Sequence, residues 1–278
     1  MPTKTLVGTA RPPRRLFDRF KDWTDRVRGF DETTPHYLRW YWWAYTSPWA
    51  IKFWDIRILG TYPLINAVLF GNYAKLTGKT IDLYKSSEQE RKTLHLSSLY
   101  GGMVAWLARI TKDYTLIDIV PRQLDRARQK IDEVGATATL RQMNAEHLEY
   151  NDDSYDQTII FFLLHEVTPQ ARGNILSEAI RVTRPGGRLY ITEYNELGSR
   201  HFLHRIPLFI WFSGIIEPCL PAFWKENLLE KLEAAATTVG KSVTLNRAAD
   251  VWNGFYRVRE FAIALEPETA LELKQAAR

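Results

Sequence analysis

Apolar runs and amphipathic stretches alternate along residues 93–194, and this alternation constrains the fold more than any other feature of the sequence. Runs rich in β-branched and aromatic residues predict strands, whereas apolar residues spaced three and four apart predict helices. The predicted strands are 93–97, 114–120, 137–143, 155–166 and 188–194. Because helices separate these strands, the chain crosses back before each new strand, which predicts a doubly wound parallel sheet.

The stretches between the strands carry signals for the start and end of helices. The predicted helices are 101–110, 121–135, 169–187 and 226–240. Pro121 begins the second of these and Gly135 ends it, while Pro185-Gly186-Gly187 stops the third. Two further strands, 242–247 and 255–265, have no helix between them, which predicts an antiparallel pair at the edge of the sheet. The prediction is an α/β fold with seven strands.

Composition and charge narrow the class of protein. Hydrophobic residues make up 45% of the chain, and the single cysteine, Cys219, excludes a disulfide framework and a Cys-based zinc site. Residues 1–30 hold eight Lys or Arg and three Asp, whereas the charges of residues 31–278 balance. A basic arm can bind an anionic membrane or nucleic acid, or remain a solvated tail. Because no nucleic-acid motif is present, we expect a membrane and no nucleic acid.

Two apolar stretches favour the membrane interface. Residues 37–54 hold five tryptophans, whose rings combine an apolar body with a polar N–H group. Residues 206–224 are apolar but contain Glu217 and three prolines, which argues against a membrane span and for a lid or an interfacial loop. The predicted parts of the chain are a basic arm 1–34, an aromatic-rich helical region 35–90, a cofactor-binding domain 91–278 and, within that domain, an apolar insertion 198–225.

The predicted seven strands, with the last one antiparallel, resemble the class I methyltransferases that use S-adenosylmethionine (SAM), over residues 90–265. In open α/β sheets, ligands bind at the carboxyl ends of the strands. Asp118 ends the second strand, where a carboxylate can accept bonds from both ribose hydroxyls; the alternative is a cap of the next helix. Asn144 follows the third strand, where it can accept a bond from the adenine amino group; the alternative is a turn residue.

The first loop, "SSLYGG", departs from the methyltransferase pattern of an acid followed by Gly-x-Gly-x-Gly. His95 stands at the acid position, and Ser97 and Leu99 stand at the first two glycine positions. Gly101 is retained. We predict that His95, Ser97 and Gly101 contact the cofactor, with its adenosine half held as usual and its amino-acid half held differently. Tyr100 brings a phenol to that altered end as a candidate catalytic group; the alternative is a packing aromatic.

Three acid–base candidates end the fourth and fifth strands. His165 and Glu166 end the fourth strand, and Glu193 ends the fifth. His165 is a candidate catalytic base, and Glu166 and Glu193 are candidate metal ligands. The alternative is that His165 only lines the pocket.

Three motifs together resemble the rhodoquinone-biosynthesis proteins called RquA. They are "RWYWWAYTSPWAIKFWD" with "LFGNY", the glycine-poor "SSLYGG" loop, and "FFLLHEVTPQARGNILSEAIRVTRPGG". The resemblance covers most of the chain beyond the basic arm. It implies conversion of ubiquinone to rhodoquinone, with a ring methoxy group exchanged for an amino group taken from SAM, aided by Mn²⁺, in anaerobic respiration. An amine is nucleophilic only when neutral, and His95 leaves no carboxylate to hold it charged.

The resemblance also implies a location and leaves two other functions open. We expect a peripheral protein on the cytoplasmic face of a bacterial inner membrane, or on a mitochondrial inner membrane, with apolar segments that receive a polyprenyl quinone. One alternative function is a SAM-dependent methyltransferase acting on a quinone or lipid, which needs a functional glycine loop. The other is a non-catalytic, membrane-associated relic, which Ser97 and Leu99 favour and Asp118 and Asn144 oppose. No oligomeric state is predicted.

Overall fold

In the part of the chain that the structure, a computed structural model, describes as whole elements, three helices precede the sheet. The structure describes residues 35, 38, 47–59, 61–85, 91–97, 100–198 and 201–266, so the basic arm and half of the tryptophan-rich stretch 37–54 lie outside the described residues. The helices are α1 (Pro48–Trp54), α2 (Pro63–Val68) and α3 (Tyr73–Lys85). The buried face of α3 includes Leu76, Ile81 and Tyr84. It packs against the three strands at one edge of the sheet, which are residues 183–194, 241–251 and 256–265. The N-terminal helices therefore share the core of the sheet.

Seven strands form a single sheet. They are β1 (Thr93–Leu96), β2 (Tyr114–Asp118), β3 (Thr139–Gln142), β4 (Tyr155–Phe161), β5 (Thr183–Tyr194), β6 (Lys241–Val251) and β7 (Tyr256–Leu265). Their order is β3-β2-β1-β4-β5-β7-β6. The first five pair in parallel, and β7 runs antiparallel to both β5 and β6. This confirms the predicted doubly wound sheet with an antiparallel pair at one edge.

The helices that cross between strands cover both faces of the sheet. They are α4 (Met103–Ile110), α5 (Pro121–Glu133), α6 (Pro169–Val182) and α9 (Leu228–Thr238), and the insertion between β5 and α9 adds α7 (Pro207–Ile216) and α8 (Leu220–Phe223). Right-handed crossovers put α4 and α5 on one face and α6 on the other, because the strand order reverses between β1 and β4. Accordingly α4 contacts α5, α6 contacts α9, and every residue of β1 and β2 is buried.

The predicted fourth strand, 155–166, was wrong at its C-terminal end. β4 ends at Phe161, because Phe162 adopts a left-handed backbone with φ of 53°. The backbone N–H of Phe162 still donates to the carbonyl of Thr192, at 2.9 Å, and the chain then turns through a short 3-10 segment, Leu164–Glu166. This turn carries His165 and Glu166 out of the sheet and over its carboxyl edge.

The predicted helix 169–187 was also too long. α6 ends at Val182 and β5 begins at once, so Pro185-Gly186-Gly187 lies in the strand instead of stopping the helix. Strand pairing decides this boundary, since Thr183 is the partner of Tyr155 in β4. A Cβ atom on Gly187 would lie 2.6 Å from the backbone oxygen of Asp156, so the close approach of the two strands requires glycine there.

The insertion between β5 and α9 holds an apolar helix on the outside of the molecule. No residue of α7 is buried, and the helix rests on the body through Phe209, whose ring lies 6.2 Å from Trp224 and 6.1 Å from Phe255. In the described part of the chain, no helix is both long enough and apolar enough to cross a membrane.

Candidate functional site

A crevice opens at the carboxyl ends of β1 to β4, where the strand order reverses. Its polar lining residues are Ser97, Asp118, Gln123, Asn144 and Glu166. Apolar side chains from the loops after β2, β3 and β4 make the remaining walls. An apolar crevice with a few converging polar groups at this position is the usual ligand site of an open α/β sheet. Four of the residues predicted from sequence meet here: Ser97, Asp118, Asn144 and Glu166.

Asp118 is held in one orientation at the end of β2. Its Oδ1 accepts a hydrogen bond from the backbone N–H of Val120 at 2.8 Å, and its Oδ2 lies 3.5 Å from the hydroxyl Oγ of Ser97. Ser97 adopts a left-handed backbone, with φ of 69°, as the chain leaves β1. The carboxylate is largely buried yet lines the cavity, so it presents a charged acceptor to a bound ligand.

Asn144 lines the same cavity from the loop after β3, the strand next to β2. Its side-chain Oδ1 accepts a bond from the backbone N–H of Glu146 at 2.9 Å, which is the turn geometry that was the alternative interpretation. An amide oxygen has two lone pairs, so this bond leaves it able to accept a second one. Met143 and Ala145 flank it on the cavity wall and provide an apolar surface for a flat ring.

The retained glycine of the first loop is tied to the N-terminal helices. The backbone N–H of Gly101 donates to Oδ1 of Asp55 at 2.6 Å, and the hydroxyl of Tyr73 accepts from the backbone N–H of Met103 at 3.3 Å. Gly101 has φ of +95°, and a Cβ atom there would lie 2.2 Å from Oη of Tyr73. Glycine is therefore required at position 101 by the protein's own packing. Leu99 lies outside the described residues.

Asp55 is the centre of a buried ion cluster. Its side chain is fully buried and lies 2.8 Å from Nζ of Lys130 and 3.1 Å from Nε of Arg126, both on α5. Burial lowers the pKa of Lys130, while the facing carboxylate of Asp55 raises it. Asp55 thus joins α1, the glycine loop and α5 through one carboxylate.

His95 does not line the cavity with the other predicted residues. Its Nδ1 lies 2.7 Å from Oη of Tyr114 inside the sheet, and its Nε2 has no hydrogen-bond partner among the described residues. Burial lowers the pKa of His95 to about 3, so the imidazole is neutral at pH 7. The position that the methyltransferase pattern gives to an acid therefore carries no charge in this protein.

Tyr100 packs beside the cavity instead of projecting into it. Its ring is 6.4 Å from that of Trp54, and its hydroxyl bonds to Gln123, which does line the cavity. Burial, with the nearby carboxylate of Glu166, raises the pKa of the phenol well above its usual range, although the bond to Gln123 lowers it. At neutral pH Tyr100 is therefore a phenol that can donate a hydrogen bond, and not a phenolate base.

His165 sits beside the cavity, surrounded by three carboxylates. Its Nδ1 is 2.8 Å from Oε2 of Glu193, and its Nε2 faces Oε2 of Glu217 at 3.8 Å and Oε1 of Glu166 at 4.0 Å. Burial lowers the pKa of His165, but Glu193, Glu217 and Glu166 together raise it to about 9. At neutral pH the ring is an imidazolium that can donate a proton to a substrate, so the predicted base begins as an acid.

The described residues do not fit a manganese site. Oε1 of Glu193 accepts from the backbone N–H of Leu164 at 2.6 Å, and Oε2 pairs with His165, so bonds within the protein engage both oxygens. No group of three or more His, Cys, Asp or Glu side chains in the described ranges is arranged to hold a metal ion. The predicted metal roles of Glu166 and Glu193 find no support here, and we assign no step to a metal.

The pKa of His165 is expected to fall when Glu193 is changed to Gln. The amide keeps an acceptor for Leu164 but removes the strongest of the three charges, while burial of the ring is unchanged. The imidazole resonances followed by NMR between pH 5 and 10 measure this shift. Glu149→Gln, an exposed carboxylate, is the control and should leave the titration unchanged.

The Glu193→Gln variant also tests whether protonation of His165 contributes to the free energy of unfolding. Because the folded pKa of about 9 lies above the ordinary 6.5, the stabilisation by protonated His165 is complete below pH 6.5 and is lost as the pH rises through 9. The free energy of unfolding should therefore fall over this window in the parent protein and fall less in Glu193→Gln. Identical pH profiles for the two proteins would show that His165 is not protonated in the fold.

Comparison with known proteins identifies the class of fold. A family model described as "Methyltransferase domain" matches residues 94–191. Magnesium protoporphyrin IX methyltransferase from Synechocystis, solved with bound SAH, superposes with a TM-score of 0.56 at 12% identity, over 80% of this chain and 96% of that one. The PH0226 protein from Pyrococcus horikoshii superposes with a TM-score of 0.54 at 16% identity, over 76% of this chain and 94% of that one. The protein has the class I methyltransferase fold, as predicted.

Among curated proteins, the similarity is to enzymes of quinone biosynthesis. The ubiquinone/menaquinone biosynthesis C-methyltransferase UbiE of Haemophilus ducreyi is 32% identical over 145 residues, which is 50% of this chain and 55% of that protein. UbiE of Vibrio campbellii is 30% identical over 145 residues, with the same coverage. The chain thus spans about half the length of the curated relatives it matches.

Sequence reasoning missed three residues of the site. Asp55 and Glu217 each had a signal, since Asp55 is the single acid in residues 47–72 and Glu217 the single acid in residues 201–225. Burying an unpaired carboxylate in an apolar stretch costs free energy. A lone acid in such a stretch therefore indicates that its side chain has a buried partner. Gln123 had no signal, because a glutamine in the first turn of a charged helix is ordinarily a surface residue.

Proposed function

We propose that the protein is a SAM-dependent transferase that acts on a ubiquinone-type quinone. The observation that carries the proposal is the largely buried carboxylate of Asp118 on the wall of the cavity at the strand-order reversal, which Asn144 also lines. This arrangement fits an adenosine: a charged acceptor for the two ribose hydroxyls and an amide for the base edge, between apolar walls. The similarity to quinone-biosynthesis methyltransferases supports the substrate class.

The residues of this chain then have separate tasks. Asp118 and Ser97 hold the ribose, and Asn144 with its apolar neighbours holds the base. SAM supplies the group that is transferred. In amino transfer, His165, protonated and oriented by Glu193, donates a proton to a quinone oxygen as charge develops on it, and Glu217 stabilises the imidazolium until then. Tyr100 positions Gln123 at the edge of the cavity.

Two transfers are compatible with this site. Methyl transfer is favoured by the relatives, which are C-methyltransferases. Amino transfer, which would convert ubiquinone to rhodoquinone, is favoured by the resemblance to the RquA proteins and by His95. That residue is neutral and buried, so no carboxylate at this position holds the amino group of SAM in its charged form. In amino transfer the nitrogen of SAM forms a ring C–N bond and the methoxy group leaves as methanol; the bond from that nitrogen to Cα of the SAM remnant must then break by elimination to release the aminoquinone. In methyl transfer the methyl group moves from the sulfonium to a ring carbon of a reduced quinol, S-adenosylhomocysteine leaves, and the proton of that ring carbon is lost to a base.

One experiment separates the two transfers. Purified protein is incubated in lipid vesicles with ubiquinone or, in a parallel reaction, with a reduced prenylated quinol that has one unsubstituted ring carbon. Each reaction contains SAM that carries carbon-13 in its methyl group and nitrogen-15 in its amino group, with and without manganese. Mass spectrometry of the extracted quinone gives the result. A quinone that gains nitrogen-15 and loses a methoxy group establishes amino transfer, and one that gains carbon-13 establishes methyl transfer. An unlabelled quinone, together with no SAM binding by calorimetry, would overturn the proposed function and favour a relic.

A further inference from the structure

The exposed side of α7 is apolar in a regular pattern. Leu208, Trp211, Phe212, Ile215 and Ile216 are exposed by between 48 and 70%. Their spacing of three and four residues places them along one side of the helix, whereas such a stripe normally faces a protein core. The opposite side of α7, through Phe209, rests on the body of the protein. We call the five side chains the α7 face.

A second exposed apolar surface lies on α1 and the loop that follows it. Trp49 and Phe53 on α1 and Ile58 and Leu59 in the following loop are exposed, Trp49 by 84% and Leu59 by 98%. We call these four side chains the α1 surface. The chain that leaves it reaches Phe70, whose ring lies 6.3 Å from that of Phe209 on α7. Phe70 is itself half exposed, so it adds to the apolar surface beside α7.

The charges of both surfaces have one sign. The acids of these segments are withdrawn from the surface, because Asp55 is buried in its ion cluster and Glu217 faces His165. Four basic side chains remain exposed there: Lys52, Arg57, Arg205 and Lys225. Arg57 faces the exposed Glu133 of α5 at 4.0 Å, while Lys52, Arg205 and Lys225 lie on the segments that carry the apolar side chains. Apolar side chains interleaved with cations match the acyl and headgroup layers of an anionic membrane. A protein partner that binds in a groove would not require both acids of these segments, Asp55 and Glu217, to be turned away from the surface.

We propose that the α7 face and the α1 surface insert into one leaflet of an anionic lipid bilayer, with the four basic side chains at the headgroups. The substrate part of this inference rests on the proposed function, since a polyprenyl quinone resides in that leaflet. Insertion brings the lipid to the reaction site, because Glu217, directly after α7, lies 3.8 Å from His165. The membrane then closes the site from above and presents the quinone beside its proton donor.

The test uses the full-length protein and two matched double variants. Leu208→Gln with Ile215→Gln removes apolar contacts from the α7 face, and Leu229→Gln with Leu245→Gln changes exposed leucines elsewhere. Co-sedimentation with vesicles that contain an anionic phospholipid should be at least about tenfold weaker for the first pair and unchanged for the second. Quenching of tryptophan fluorescence by lipids with brominated acyl chains should decrease in Trp211→Phe.

A third variant isolates the charges. Lys52→Gln with Arg205→Gln should weaken binding to anionic vesicles at low salt and leave binding to neutral vesicles unchanged. Equal binding by all variants would overturn the proposal. So would self-association of the parent protein without lipid that the α7 variant abolishes, since the face would then be a protein interface. These assays contain no SAM or quinone, so their failure is separate from a failure of the proposed function.

Discussion

Asp118→Ala is expected to weaken the binding of SAM by at least about a hundredfold. In the proposed site the substitution removes the charged acceptor of two ribose hydroxyl bonds, each worth about 1.5–3 kcal/mol, and every 1.4 kcal/mol is a factor of about ten in affinity. Isothermal titration calorimetry measures the loss directly. This is the strongest single test of the cofactor site, because it depends on binding and not on which group is transferred.

The fold must survive for that result to be informative. Asp118 also accepts the bond from Val120 that shapes the turn into α5, so Asp118→Asn, which keeps this acceptor, is the matched variant. It should melt within a few degrees of the parent protein and still bind SAM more weakly. Asp125→Asn, an exposed acid on α5, should change neither property. An affinity unchanged in Asp118→Ala would contradict the ribose assignment.

Asp55→Ala should lower the free energy of unfolding by about 3–5 kcal/mol, the cost of breaking a buried ion pair and leaving its partner uncompensated. The carboxylate is fully buried, and its loss leaves Lys130 and the backbone N–H of Gly101 without their acceptor. Urea unfolding followed by circular dichroism measures the change. Because Gly101 belongs to the cofactor loop, SAM binding should weaken in the folded fraction as well.

Two further variants compare the buried ion pair of Asp55 with an exposed ion pair on the same helix, α5. Glu133→Gln breaks the pair with Arg57, whose 4.0 Å separation and exposure predict a change below about 0.5 kcal/mol. Asp55→Asn combined with Lys130→Met removes both charges and should recover much of the loss. If Asp55→Ala proved no more destabilising than Glu133→Gln, the ion cluster would not hold the loop in solution.

The tie between Asp55 and Gly101 explains the unusual loop. A glycine-rich loop lets its backbone approach a ligand closely, and two of its three glycines are replaced here. In their place, Asp55 and Tyr73 bind the loop backbone from the N-terminal helices. The retained glycine is required by contact with Tyr73, so its presence alone is not a sign of cofactor binding.

The order of strands and helices was predictable because the local spacing of apolar residues determines which segments form strands and which form helices. The two element boundaries that were predicted wrongly are those that depend on hydrogen bonds between neighbouring strands. β4 ends where Phe162 turns away, and β5 begins early because Thr183 finds Tyr155 as its partner. Neither partner is near in sequence. Asp118 and Asn144 were predictable for the same reason as the strands, since each follows a recognisable strand and the sheet topology brings strand ends together.

By itself the sequence determined the doubly wound sheet, because the spacing of apolar residues over a few positions selects strand or helix. It also determined the edge at which a ligand is expected to bind, because crossover connections between parallel strands are right-handed and bring the carboxyl ends of the strands together. Only the tertiary structure decided which polar groups meet there. The Asp55–Gly101 bond joins residues 46 apart, and His165 meets Glu193 from 28 residues away. Such contacts depend on the packing of whole elements, and no local pattern encodes the distance between two side chains that pack only after the sheet has formed.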